Sequence, residues 1–140
     1  MTVKLNHLIP ELYVSNIDKS LAFYTSLDFN VLYQRETEKF IFLEREGAQL
    51  MLEELNDSSW KMGSMEPPFG RGINFQIQVR DVGQLYAIVL RNGFKIYLPL
   101  YEKWYRVNER LRGNRQFLIQ DPDGYLLRFS QDLGSKDSAV

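Results

Sequence analysis

At 140 residues, with 44% hydrophobic and 25% charged side chains, the chain has the composition of one soluble globular domain rather than of a disordered or membrane-embedded polypeptide. Seventeen basic and 18 acidic side chains leave a formal charge of −1, too balanced for the basic footprint of a nucleic-acid or anionic-membrane binder. The absence of cysteine excludes a disulfide framework, a thiolate zinc site and a cysteine nucleophile, and the balanced charge leaves small molecules or protein partners as the expected ligands.

The first residues, MTVKLNHLIPEL, lack the apolar core and small-residue cleavage site of a signal peptide, and no run approaches the ~18 apolar residues of a membrane-spanning helix; a cytoplasmic protein is expected. Residues 5–14 read as a strand. Ser15 or Asn16 then caps a helix whose Ile17, Leu21 and Tyr24 recur at helical spacing, followed by an extended run over 29–35. A hairpin, FIFLEREGAQLMLEE, starts at Phe40, and NDSSWKMGSMEPPFG is a Pro- and Gly-containing link. The order then repeats. Residues 73–79 alternate Phe75, Ile77 and Val79 with Asn74, Gln76 and Gln78; Asp81 caps a second helix that stops at Asn92-Gly93; residues 94–100 are extended; and QFLIQDPDGYLLRFS closes the chain as a hairpin.

An offset of 65 places Val14 on Val79, Ile17 on Val82, Ala22 on Ala87 and Phe29 on Phe94, and an offset of 77 places Gly47 on Gly124 and Phe40 on Phe117. The extra 12 positions mark an insertion in PLYEKWYRVNERLRGNR, expected as a solvated loop or helix-like face. The fold class is α+β: two tandem βαβββ modules with curled mixed sheets around a concave cavity. Module one covers 3–56, a linker 57–70, module two 71–132, and a tail 133–140.

Alternation puts Phe75, Ile77, Val79, Leu127 and Phe129 toward the helices. The opposite parity carries Ile9, Glu11, Tyr13, Met51, Glu53, Asn74, Gln76, Gln78 and Arg128. Amides, carboxylates, an arginine and aromatics on one face fit a pocket, and equally a hydrogen-bonded interface between the modules or a solvated sheet face. Trp60 in the linker and Tyr101, Trp104 and Tyr105 in the insertion suit either a ligand cleft or packing. No G-x-S-x-G elbow, P-loop or G-x-G-x-x-G is present.

SLAFYTSLDF, VRDVGQLYAIVLRNGF and DPDGYLLRF, in this doubled frame, resemble the vicinal oxygen chelate superfamily, which contains glyoxalase I, extradiol dioxygenases, fosfomycin resistance enzymes and bleomycin resistance proteins. The resemblance implies a divalent metal held by His, Glu or Gln at positions that fall here on Ile9, Met51, Asn74 and Arg128, none of them a usual ligand. It therefore points to the metal-free bleomycin resistance branch: a homodimer that sequesters an antibiotic or similar compound in a cleft, without catalytic residues, metal or cofactor. The ligand-binding residues expected are Glu11, Tyr13, Glu53, Trp60, Asn74, Gln76, Gln78, Trp104, Tyr105 and Arg128, with acids such as Glu11 or Glu53 as partners for Arg128. The alternative is a metal-dependent lyase or dioxygenase using His7 and Glu53 after a register shift of two.

Overall fold

The computed structural model describes residues 3–138. The chain divides between Phe69 and Gly70 into two compact units, each with its own sheet and helix. In the first, β1 (Glu11–Val14), α1 (Ile17–Ser26), β2 (Asn30–Arg35), β3 (Phe40–Arg45) and β4 (Ala48–Glu54) form a mixed sheet of order β1-β4-β3-β2. In the second, β5 (Asn74–Gln78), α2 (Val82–Asn92), β6 (Ile96–Val107), β7 (Arg110–Gln120) and β8 (Leu126–Asp137) repeat it as β5-β8-β7-β6. In each unit the first strand runs parallel to the last, and the other pairs are antiparallel. The α+β reading with two tandem modules holds.

The repeat extends to single atoms. Asn16 Oδ1 accepts from the Lys19 backbone N–H at 3.1 Å, and Asp81 Oδ1 accepts from Gln84 N–H at 3.0 Å, each cap being worth about 1 kcal/mol. The first helical N–H of each unit is also met by the last strand. Glu54 Oε1 accepts from Ile17 N–H and Gln131 Oε1 from Val82 N–H, both at 3.0 Å. These bonds fix which parity of β4 and β8 faces the helix. In the first unit Leu50 and Leu52 share that face with Glu54, alongside Leu12, Val14, Ile41 and Leu43, all buried. In the second, Tyr86 of α2 packs on Phe117 (centroids 5.0 Å apart), which stacks on Phe129 at 5.5 Å.

The Asp-Pro-Asp-Gly signature is explained by its own hydrogen bonds. Asp121 Oδ1 accepts from the backbone N–H of Asp123 (3.0 Å) and Tyr125 (2.9 Å), and Gly124 takes φ 102°, where a Cβ would be strained.

Four expectations are corrected. The first strand begins at Glu11 rather than residue 5, because Pro10 brings no N–H to a ladder. The preceding segment is tied down instead by the buried Gln49, whose amide accepts from Asn6 N–H (2.8 Å) and donates to Lys4 C=O (2.7 Å). The insertion is neither loop nor helix but an extension of β6 and β7 into a long ribbon, braced by Arg110–Asp137 and Arg112–Asp132 ion pairs. Residues 133–137 belong to β8 rather than to a tail. Finally, Phe40 does not correspond to Phe117. Arg45 pairs with Ala48 across a short turn, whereas Gln120 pairs with Leu126 across a longer one. With Met51 placed on Arg128, their partners Phe42 and Leu118 coincide, so Phe40 coincides with Gln116 and lies on the face away from the helix.

Candidate functional site

The helix-averted face of the first sheet carries chemistry. Ladder register places Glu11, Tyr13, Met51, Glu53, Phe40, Phe42, Tyr33 and Arg35 on it together. Tyr33 lies flat on Phe42, with centroids 5.0 Å apart and planes at 14°, and the Arg35 guanidinium sits 3.9 Å above the centre of Phe40. Such stacking orders a planar platform and holds its cation in place. The same guanidinium is hydrogen-bonded to Glu38.

Beside this platform lies a cavity of about 410 Å³, lined chiefly by Glu11, Tyr13, Arg35, Glu38, Glu53 and Trp60. The Trp60 side chain is not core. Its residue is 85% exposed, yet its backbone N–H donates to Tyr13 Oη at 3.0 Å, and a turn held by Ser58 N–H on Asn56 Oδ1 (2.7 Å) fixes the approach. Trp60 thus lines the cavity with an anchored main chain and carries a largely exposed indole. Three carboxylates face one guanidinium there, and that guanidinium is already engaged by Glu38. Burial, and then the nearby charges of Glu11 and Glu38, push the Glu53 carboxyl above its ordinary value, Arg35 opposing them. A carboxylate crowded in this way is stabilised by an incoming cation.

The corresponding face of the second sheet has a different lining. Gln76 and Gln78 are exposed and pair with Arg128 and Ser130 of β8, and Asn74 pairs with Leu126. Gln116, 1% exposed, donates from Nε2 to both Tyr101 Oη (2.6 Å) and Tyr105 Oη (2.8 Å), while its Oε1 is buried without a partner. Arg128 is half-buried; its Nε is likewise buried and unpartnered, and no ion pair engages the residue among the described residues.

The structure therefore groups Glu11, Tyr13, Glu53 and Trp60 in one cavity, and Asn74, Gln76, Gln78 and Arg128 on one sheet face that Tyr105 joins through Gln116. Trp104 is placed apart from them. It lies on β6, one residue from Tyr105 and so on the opposite face, with its ring over Gly113, Lys136 Nζ 3.9 Å above it, and Nε1–H bonded to Glu102 at 3.1 Å. It braces the ribbon. Tyr33, Arg35, Glu38, Phe40, Phe42 and Gln116 were not among the expected site residues. Their signal, the alternation Tyr33-x-Arg35 opposite Phe40-x-Phe42, is read only once the hairpin register is fixed.

The positions where a divalent metal would be held do not fit one. Ile9 precedes β1 and has no donor, Met51 offers a thioether, Asn74 a weak amide, and Arg128 a cation. Among the described residues no group of three or more His, Cys, Asp and Glu side chains is placed to bind a metal ion. His7 is exposed and lies outside β1, apart from the strand that a register shift would require. No helix of the described residues is long and apolar enough to cross a membrane.

Comparison with solved structures finds similar chains. A glyoxalase/bleomycin resistance protein/dioxygenase superfamily member from Vibrio splendidus 12B01 is 38% identical, covering 88% of this chain and 95% of its own, with a TM-score of 0.43. A glyoxalase/bleomycin resistance protein/dioxygenase from Alicyclobacillus acidocaldarius is 24% identical over 91% of this chain and 92% of its own, with a TM-score of 0.63. TioX from Micromonospora sp. ML1 is 20% identical over 91% and 99%, with a TM-score of 0.69. No curated protein matches. A family model for the Glyoxalase/Bleomycin resistance protein/Dioxygenase superfamily matches residues 4–129, and the chain belongs to that superfamily.

Proposed function

We propose that this protein is a metal-free small-molecule binder of the bleomycin resistance type, which sequesters a planar, cationic compound, such as an antibiotic, as a homodimer. The observation that carries the reading is the cavity of the first unit: Glu11, Glu38 and Glu53 around one already paired arginine, with an exposed indole at its wall. Its volume of about 410 Å³ lies within the range usual for small-molecule pockets. A planar cation stacks on Trp60, relieves the repulsion between Glu11 and Glu53, and needs no bond to be made or broken. The donor set at Ile9, Met51, Asn74 and Arg128 supports a site without metal. The alternative lyase or dioxygenase is disfavoured because His7 is exposed and lies outside β1.

Titration calorimetry with a planar aromatic cation and its neutral isostere tests the reading. The cation is expected to bind at about micromolar Kd or tighter, and the neutral isostere at least about tenfold more weakly. Equal affinity, or none, overturns it. One tightly held divalent ion per chain together with turnover would overturn the metal-free assignment. A monomeric mass at micromolar concentration would remove the homodimer.

A further inference from the structure

The second unit contains a pair of unmet hydrogen-bonding needs that its own residues leave open. Arg128 on β8 pairs with Gln76 on one side and Leu118 on the other; two ladder positions along, Ser130 pairs with Gln116. Gln116 and Arg128 are thus diagonal neighbours on the same face, ~7–8 Å apart at the backbone and within reach of one small group bridging their side chains. Gln116 Oε1 lacks a donor and Arg128 Nε–H lacks an acceptor, and both atoms are buried. An isolated buried polar atom is destabilising, and more so when it is charged. A guanidinium stays ionised at any accessible pH, so loss of a proton offers no relief.

The surroundings are preorganised. Gln116 Nε2 spends its two hydrogens on Tyr101 Oη and Tyr105 Oη at 2.6 and 2.8 Å, so each phenol accepts from the amide and retains its own O–H for another acceptor. Two phenolic donors on β6 and a guanidinium on β8 whose Nε–H lacks an acceptor thus lie on one sheet face. Gln76 and Gln78, both exposed, leave the face open at its β5 edge.

We propose that this face of the second unit is an oxyanion site, taking a small carboxylate or phosphate group on Arg128, Tyr101 and Tyr105. A protonated or hydroxyl-bearing end of the same ligand serves Gln116 Oε1. The proposal uses residues of the second unit alone and stands whether or not a cation binds in the first.

The test follows the Arg128 Nε–H resonance in a ¹⁵N-arginine spectrum during titration with salicylate, which carries a carboxylate and an adjacent hydroxyl, and separately with inorganic phosphate. Saturation by salicylate alone assigns a carboxylate site, and saturation by either anion supports the proposal. No saturable shift with both overturns it. R128M is expected to abolish salicylate binding measured by calorimetry while leaving the melting temperature equal or higher, because an unpartnered charge is removed. A lower melting temperature with unchanged salicylate affinity, measured by calorimetry, would make Arg128 structural and overturn the proposal. Y101F should weaken salicylate about threefold to tenfold. Trp60 fluorescence reports the first unit, so failure here is distinguishable from failure of the cation reading.

Discussion

Glu53 and Glu54 are adjacent in β4 and point to opposite faces, and their proton equilibria move in opposite directions. Burial and Glu11 hold the Glu53 carboxyl above its ordinary value, so the folded state favours its neutral form. That contribution to stability is present below the unfolded carboxyl pKa and is lost as pH rises through the folded one. E53Q should therefore raise the melting temperature at neutral pH by about 1–3 °C, the gain fading as pH falls through the carboxylate range, and should weaken a planar cation about tenfold. Calorimetric melts at several pH values check both signs. For Glu54 the hydrogen bond from Lys39, then that from Ile17 N–H, lowers the carboxyl. Its contribution is present above the unfolded value and is lost as pH falls through the folded one.

At the scale of elements, that carboxylate stitches α1 to its sheet as Gln131 stitches α2. Because a glutamine suffices in the second unit, E54Q should cost little, whereas E54A should cost about 1 kcal/mol in urea unfolding. The ribbon makes a separate prediction. A Cβ on Gly113 would lie 2.6 Å from ring carbons of Trp104, so G113A should displace the indole and destabilise by about 1–3 kcal/mol, with faster amide exchange in 103–113 than in α2.

These elements also mark what the sequence makes legible. Helix caps at Asn16 and Asp81 and the stop at Gly93 are local hydrogen-bonding and φ preferences, and they stand where the sequence places them. Strand faces such as Phe75/Ile77 against Gln76/Gln78 follow from alternation. The register of Phe40 and Phe42 was not legible, because turn geometry rather than strand composition decides it. That single shift hid the aromatic platform. The ribbon was obscured because Arg- and Glu-rich strands paired through exposed ion pairs look, as sequence, like a solvated helix or loop.

Across the whole molecule, one βαβββ plan is used twice with the caps and helix stitches preserved and the helix-averted faces diverged. The first face is aromatic and acidic, and the second is built of amides, phenols and an arginine. Preserved stitches with divergent linings are what a duplicated scaffold gives when the fold is retained and recognition is not. The central claim, that the first face captures a planar cation against Trp60, is tested most directly in a W104F background, where Trp60 is the only tryptophan. Titration with a planar aromatic cation should quench its fluorescence saturably, with the midpoint moving at least about tenfold higher in E11Q/E53Q. Fluorescence that stays unchanged, or quenching indifferent to the loss of both carboxylates, would contradict it.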